Sequence, residues 1–244
     1  MHPEWGVRAW AIRLRSRVRT GGMRILSLVV TALVTVGLLA GCASVDPAAP
    51  SSAAPSVAGG PVVAFYGDSY TLGTGASDPA KRWSSIICRE RGWNEVNPST
   101  NGLGFVNNRS LQSVDELDTV IAAHPNIVIV TMGLNDNFSM PEHAADIQSA
   151  IRVDFSRLAK ELPNARIVVV EPFWYTDERP TSLGEIIGWV KAGAARIDAD
   201  YLSGASHWIE GHPEWMASDG LHPNDAGYAA MADKMDAALE TIAL

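Results

Sequence analysis

Ser69 closes an apolar stretch, Val62 to Thr71 (VVAFYGDSYT), whose hydrophobic run breaks at Gly67 and passes Asp68 and Ser69 into a turn. A serine hydroxyl is a weak nucleophile until a neighbouring base takes its proton, and that base needs a third group to fix its tautomer. Both partners occur together far downstream. In Ser218-Asp219-Gly220-Leu221-His222-Pro223-Asn224 an acid stands three residues before a histidine, in a turn just ahead of the last helix. A turn of that length can fold Asp219 onto one ring nitrogen of His222 and leave the other facing Ser69. Pro223 suits the helix entrance, and Asn224 or Asp225 can cap it.

Attack on a carbonyl also needs donors for the negative oxygen that develops, and losing one such donor typically costs about 3 kcal/mol of transition-state stabilisation. Two places can supply them. The segment Asn97-Pro98-Ser99-Thr100-Asn101-Gly102 ends in a glycine whose backbone N–H a substrate can approach, and Gly104 stands two residues on. In Gly133-Leu134-Asn135-Asp136 the Asn135 amide can donate.

These residues must be carried by regular elements. The expected strands are Val62 to Tyr66, a short one around Glu95 to Asn97, Ile127 to Met132 and Arg166 to Val170, with a weaker one at His207 to Ile209. Between them, Trp83 to Arg91 reads as a helix, Ile147 to Leu162 and Leu183 to Ile197 repeat apolar residues at steps of three and four, and Tyr228 to Ile242 does so again. NIVIVTM and RIVVVEP are apolar at nearly every position, as in strands covered on both faces. The pattern predicts a three-layer α/β/α sandwich around a parallel, flavodoxin-like sheet of about five strands, with reacting groups at the carboxyl edge.

Gly67-Asp68-Ser69-Tyr70, Gly102, Gly133-Leu134-Asn135-Asp136 and Asp219-Gly220-Leu221-His222-Pro223 resemble, in order, the four motifs of the SGNH (GDSL-type) hydrolase family. The resemblance spans nearly all of residues 61–244. It implies a serine esterase with Ser69 as nucleophile, His222 as base and Asp219 as its orienter. The implied oxyanion hole is the Ser69 N–H, the Gly102 N–H and the Asn135 side chain. Gly102 is preferred to Gly104 because family members often carry an asparagine five residues before the oxyanion glycine, as Asn97 is here. The family's usual leucine after the serine is replaced by Tyr70. Thr71 replaces the second glycine of the Gly-x-Ser-x-Gly elbow, which argues against an α/β-hydrolase. Rival readings with the same residues are an acyltransferase and a silent envelope lipoprotein that binds a glycan or peptide in the cleft.

The chain's 244 residues divide unevenly. Residues 1–42 hold six arginines and one glutamate, then an apolar stretch from Ile25 ending in Leu39-Ala40-Gly41-Cys42. This reads as a secretory signal, and its end resembles the bacterial lipobox, which implies lipidation of Cys42, export and membrane attachment. Met23-Arg24 would make an ordinary signal start. Residues 43–60 are rich in Ala, Pro and Ser and read as a tether. Beyond residue 42 stand 13 basic against 26 acidic residues, a balance unsuited to nucleic acid.

The expected partner is a small-molecule, lipid or glycan ester, and nothing in the pattern asks for a metal or organic cofactor. His207 and His212 with Glu210 and Glu214 lack helix-spaced ligand pairs and read as a polar loop. Trp208 and Trp215 in that loop read as packing anchors that can also line an acyl pocket. Asp68 and Asp136 read as structural, and Cys88 as a buried small hydrophobe.

Overall fold

The computed structural model describes residues 57–244; the signal, Cys42 and most of the tether lie outside the described residues. At the start of the described residues, the Val57 N–H donates to Asn94 Oδ1 at 2.7 Å while Asn94 Nδ2 donates to the Val57 and Gly60 carbonyls.

Five strands form one parallel sheet: β1 Val62–Tyr66, β2 Asn94–Val96, β3 Ile127–Val130, β4 Arg166–Val170 and β5 Asp200–Leu202. Their order is β2-β1-β3-β4-β5, the predicted flavodoxin-like arrangement. Successive residues of a strand point to opposite faces, and the two cores divide accordingly. Val63 and Phe65 face helices α2 (Trp83–Arg91) and α6 (Asp225–Glu240), packing with Trp83, Ile87, Met231 and Met235. Ala64 and Tyr66 face α3 (Glu116–Ala122), α4 (Ala144–Glu161) and α5 (Thr181–Arg196), through Leu117, Ile151, Phe155 and Val190. Cys88 lies in the first core, buried and without a disulfide partner among the described residues, where desolvation pushes its thiol up.

Two elements depart from the sequence reading. The fifth strand is Asp200–Leu202, and the expected strand at His207 to Ile209 falls instead in a 3-10 turn, Ala205–His207, and the chain after it. Asp200-Tyr201-Leu202 carries too little apolar signal to stand out alone. Pairing with β4, Val168 opposite Asp200, makes it a strand. Helix α3 is the second, a helix that the apolar spacing did not mark at all. It is only seven residues long, capped by Asp115, whose side chain accepts from Leu117 N–H.

Candidate active site

β1 ends where Gly67 packs against Thr131 and Thr71. A Cβ on Gly67 would come within 2.4 Å of Thr131 Oγ1, so only glycine lets the chain turn there. The next residue, Asp68, caps the short helix α1 (Ser69–Leu72) by accepting the Tyr70 N–H at 2.9 Å. Gly73, at φ +90°, ends that helix after one turn. Ser69 is thereby fixed at the first position of α1, its N–H making no intramolecular hydrogen bond among the described residues.

The downstream turn comes to meet it. A bridge between Met216 and Pro223 and the bond from Ala217 N–H to the His222 carbonyl close the 216–223 loop. Within it, Asp219 Oδ1 accepts the N–H groups of Leu221 and His222, and Asp219 Oδ2 lies 2.7 Å from His222 Nδ1. The imidazole and these two N–H groups hold the Asp219 carboxyl down at about 2. On the other side of the ring, His222 Nε2 lies 3.0 Å from Ser69 Oγ. Asn224, not Asp225, caps α6, accepting from Ala226 and Gly227; Asp225 instead binds Ser77 and Lys81.

Ser69, Gly102, Asn135 and His222 line one cavity of about 200 Å³, together with Tyr70, Thr74, Asn101, Leu134 and Leu221. The two candidate glycines separate cleanly. Gly102, at φ +70°, offers its N–H without an intramolecular partner among the described residues. Gly104 donates its N–H to the Asn107 carbonyl at 2.9 Å and does not line the cavity. Asn135 reaches the cavity, but its Nδ2 donates to the Leu103 carbonyl at 3.0 Å and to Asp68 Oδ2 at 3.3 Å. The Asn135 amide nitrogen thus has two acceptors in this structure, the Asp68 contact being the longer and weaker.

Three buried carboxyls that the reaction pattern does not name brace this arrangement. Asp136 accepts the N–H groups of Phe105, Val106 and Asn107, tying the Gly102 loop to the residue beside Asn135. Complete burial pushes Asp68 up to about 7, against the Tyr70 N–H, with Asp136 adding to the rise. Glu116 accepts the Gly67 N–H at 2.8 Å through Oε1, while its buried Oε2 has no hydrogen-bond partner among the described residues. Burial pushes Glu116 up to about 9. Sequence signals mark Asp68 and Asp136 through their motifs. Glu116 has none, since only the packing of α3 against β1 brings it under the serine turn.

The loop with two histidines pairs internally. His207 Nδ1 meets Glu210 at 2.5 Å, and Glu210 also binds Arg179. His212 Nδ1 meets Glu214 at 2.8 Å and stacks on Trp215 with ring centroids 3.6 Å apart. Trp208 packs on Phe173, centroids 5.7 Å apart, and neither tryptophan lines the cavity.

The family model for GDSL-like lipases and acylhydrolases matches residues 65–230, from β1 into α6. This chain belongs to that family. It is a serine ester hydrolase by type. A GDSL lipase of Mycobacterium tuberculosis is 28% identical over 184 residues, 71% of this chain and 79% of that protein. Among solved structures, the psychrotrophic esterase EstA of a Pseudoalteromonas species superposes with a TM-score of 0.61 at 16% identity, over 74% of this chain and 97% of that one. Axe2, an acetylxylan esterase of Geobacillus stearothermophilus, superposes with a TM-score of 0.56 at 18% identity, over 75% and 96%. At such identities the likeness to EstA and Axe2 is one of fold. The α/β sheet of this GDSL-like chain is theirs.

Proposed function

We propose that the protein is an exported, lipid-anchored esterase that hydrolyses short-chain carboxylic esters through Ser69, His222 and Asp219. The observation that carries the reading is the continuous chain Asp219 Oδ2, His222, Ser69 Oγ, with links of 2.7 and 3.0 Å, opening on the cavity that holds the free Gly102 N–H. Ser69 Oγ attacks the ester carbonyl as its proton passes to His222 Nε2. Asp219 keeps the imidazole in the tautomer whose Nε2 accepts and stabilises the imidazolium that results. The carbonyl oxygen, now negative, takes donors from the Ser69 and Gly102 N–H groups and from Asn135. His222 returns the proton to the leaving alcohol. Water, activated by the same nitrogen, then releases the acid from Ser69. No step needs a metal or organic cofactor.

Size favours a short acyl group. A cavity of about 200 Å³ takes roughly seven water-sized units, at about 30 Å³ each. An acetyl to butyryl chain fits inside it, with the alcohol, lipid or glycan, outside. Leu39-Ala40-Gly41-Cys42 supports export and attachment at the outer face of the cell envelope.

A fluorophosphonate probe tests the nucleophile: the wild type is labelled and Ser69→Ala is not. A folded wild type that escapes labelling would overturn the reading. For the anchor, Cys42→Ala is expected to move the protein from the membrane to the soluble fraction; unchanged membrane association would remove lipidation from the proposal.

A further inference from the structure

We propose that Tyr70, the residue directly after Ser69, is a positioning residue that holds the Asp219 to His222 turn where His222 reaches Ser69. The inference rests on the triad reading above. The Tyr70 hydroxyl donates to the Leu221 carbonyl at 2.7 Å, one residue before the base and across a separation of 151 residues. Among the described residues it is the one hydrogen bond from α1 into the 219–222 turn besides the Ser69 to His222 contact itself.

The tether is rigid at its root and needed at its tip. The Tyr70 ring is fully buried, stacked on Phe173 with centroids 5.8 Å apart and 6.0 Å from the His222 ring. The Tyr70 carbonyl accepts from Trp83 Nε1 at 3.0 Å, which fixes the backbone beside the nucleophile. By contrast the turn lies at the surface, with the Asp219 side chain 47% exposed. Its own closures, from Ala217 N–H to the His222 carbonyl and from Asn224 Nδ2 to the Glu214 and Met216 carbonyls, join it to its flanks, and the start of α6 beyond it is held to the loop after α1 by Asp225 on Ser77 and Lys81 and by the Tyr228 hydroxyl on the Thr74 carbonyl. The Tyr70 bond adds a direct link from α1 to the turn itself, at the residue before the base. Burial, with Tyr228, Asp68, Asp219 and Tyr175 adding to it, keeps the phenol protonated and therefore a donor throughout the working pH range. A leucine at this position fills space but cannot hold the turn.

Because Asp219 and His222 sit in the same turn, they move as a unit. Loosening the tether lengthens the Nε2 to Oγ contact and leaves the carboxylate to imidazole bond intact. The experiment compares Tyr70→Phe with wild type on p-nitrophenyl acetate, with rates expressed per site titrated by a fluorophosphonate. The expected result is a fall in kcat of about tenfold, since small misplacements of reacting groups are costly. KM and the acid midpoint of the pH profile stay at their wild-type values. Asp219→Asn, which removes the charge stabilising the imidazolium, lowers that midpoint and serves as the contrast. Tyr70→Leu also lacks the hydroxyl and carries the same expectation should Tyr70→Phe fold poorly.

Wild-type kcat per titrated site, a change confined to KM, or a shifted midpoint in the Tyr70 variants would overturn the assignment. Persistent labelling of Ser69→Ala would instead overturn the triad reading, so the two failures are distinguishable.

Discussion

Gly104 stands directly against Asp136: a Cβ on the glycine would come within 2.6 Å of the aspartate's Cγ and both carboxyl oxygens. Asp136 is the residue that accepts three consecutive N–H groups from the loop after Gly104, so the contact links the Gly102 loop to the Asn135 turn. Gly104 is thus a packing glycine, and among the described residues the Gly102 N–H two residues earlier is the one without an intramolecular partner.

Gly104→Ala is expected to displace the Asp136 carboxylate and strand buried N–H groups, destabilising the protein by about 1–3 kcal/mol. Activity falls with it as the Gly102 loop shifts. Denaturant unfolding alongside esterase assays checks both. A variant as stable and as active as wild type would show that the loop does not depend on this contact.

Chain length of the acyl group offers a second check. With p-nitrophenyl esters from acetate to decanoate, kcat/KM is expected to be highest at two to four acyl carbons and to fall by about tenfold or more beyond six, because longer chains overrun a cavity of about 200 Å³. A maximum at eight to ten carbons would refute the short-acyl reading.

Glu116 makes stability depend on pH in a definite direction. Its carboxyl is pushed up to about 9 by burial, opposed by the Gly67 N–H and reinforced by Asp68 and Asp115. Between the ordinary glutamate range and pH 9 the unfolded chain carries the charge and the folded chain carries the proton. Stability from this group is therefore lost as pH rises through that window. Glu116→Gln keeps an acceptor for Gly67 and cannot ionise. Its melting temperature relative to wild type should match near pH 4 and gain a few degrees by pH 9. An offset independent of pH would place the ionisation of Glu116 elsewhere.

The sequence by itself determined most of what is local. Continuous apolar runs specify β1, β3 and β4, and the three-and-four spacing specifies α4, α5 and α6, because burial on both faces of a sheet and on one face of a helix leaves a periodic trace. It also determined the Asp219 to His222 turn, since three residues suffice to fold a carboxylate onto a ring. The resemblance to the four motifs pointed to Ser69, Gly102 and Asn135, with Gly104 left beside Gly102 as an alternative.

Only the tertiary structure decided what depends on segments far apart in the chain. The pairing with β4 made Asp200–Leu202 the fifth strand in place of His207 to Ile209. The fold of the Gly102 loop spent the Gly104 N–H on Asn107 and left that of Gly102 without a partner among the described residues. Packing of α3 beneath the serine turn buried Glu116 at Gly67, and the approach of the last turn to α1 gave the Tyr70 hydroxyl its carbonyl. Such contacts leave no periodicity in the sequence. They arise where right-handed crossovers bring loops from separate strands to one edge of the sheet, and a glutamate or tyrosine there reads like any other until its neighbours are known.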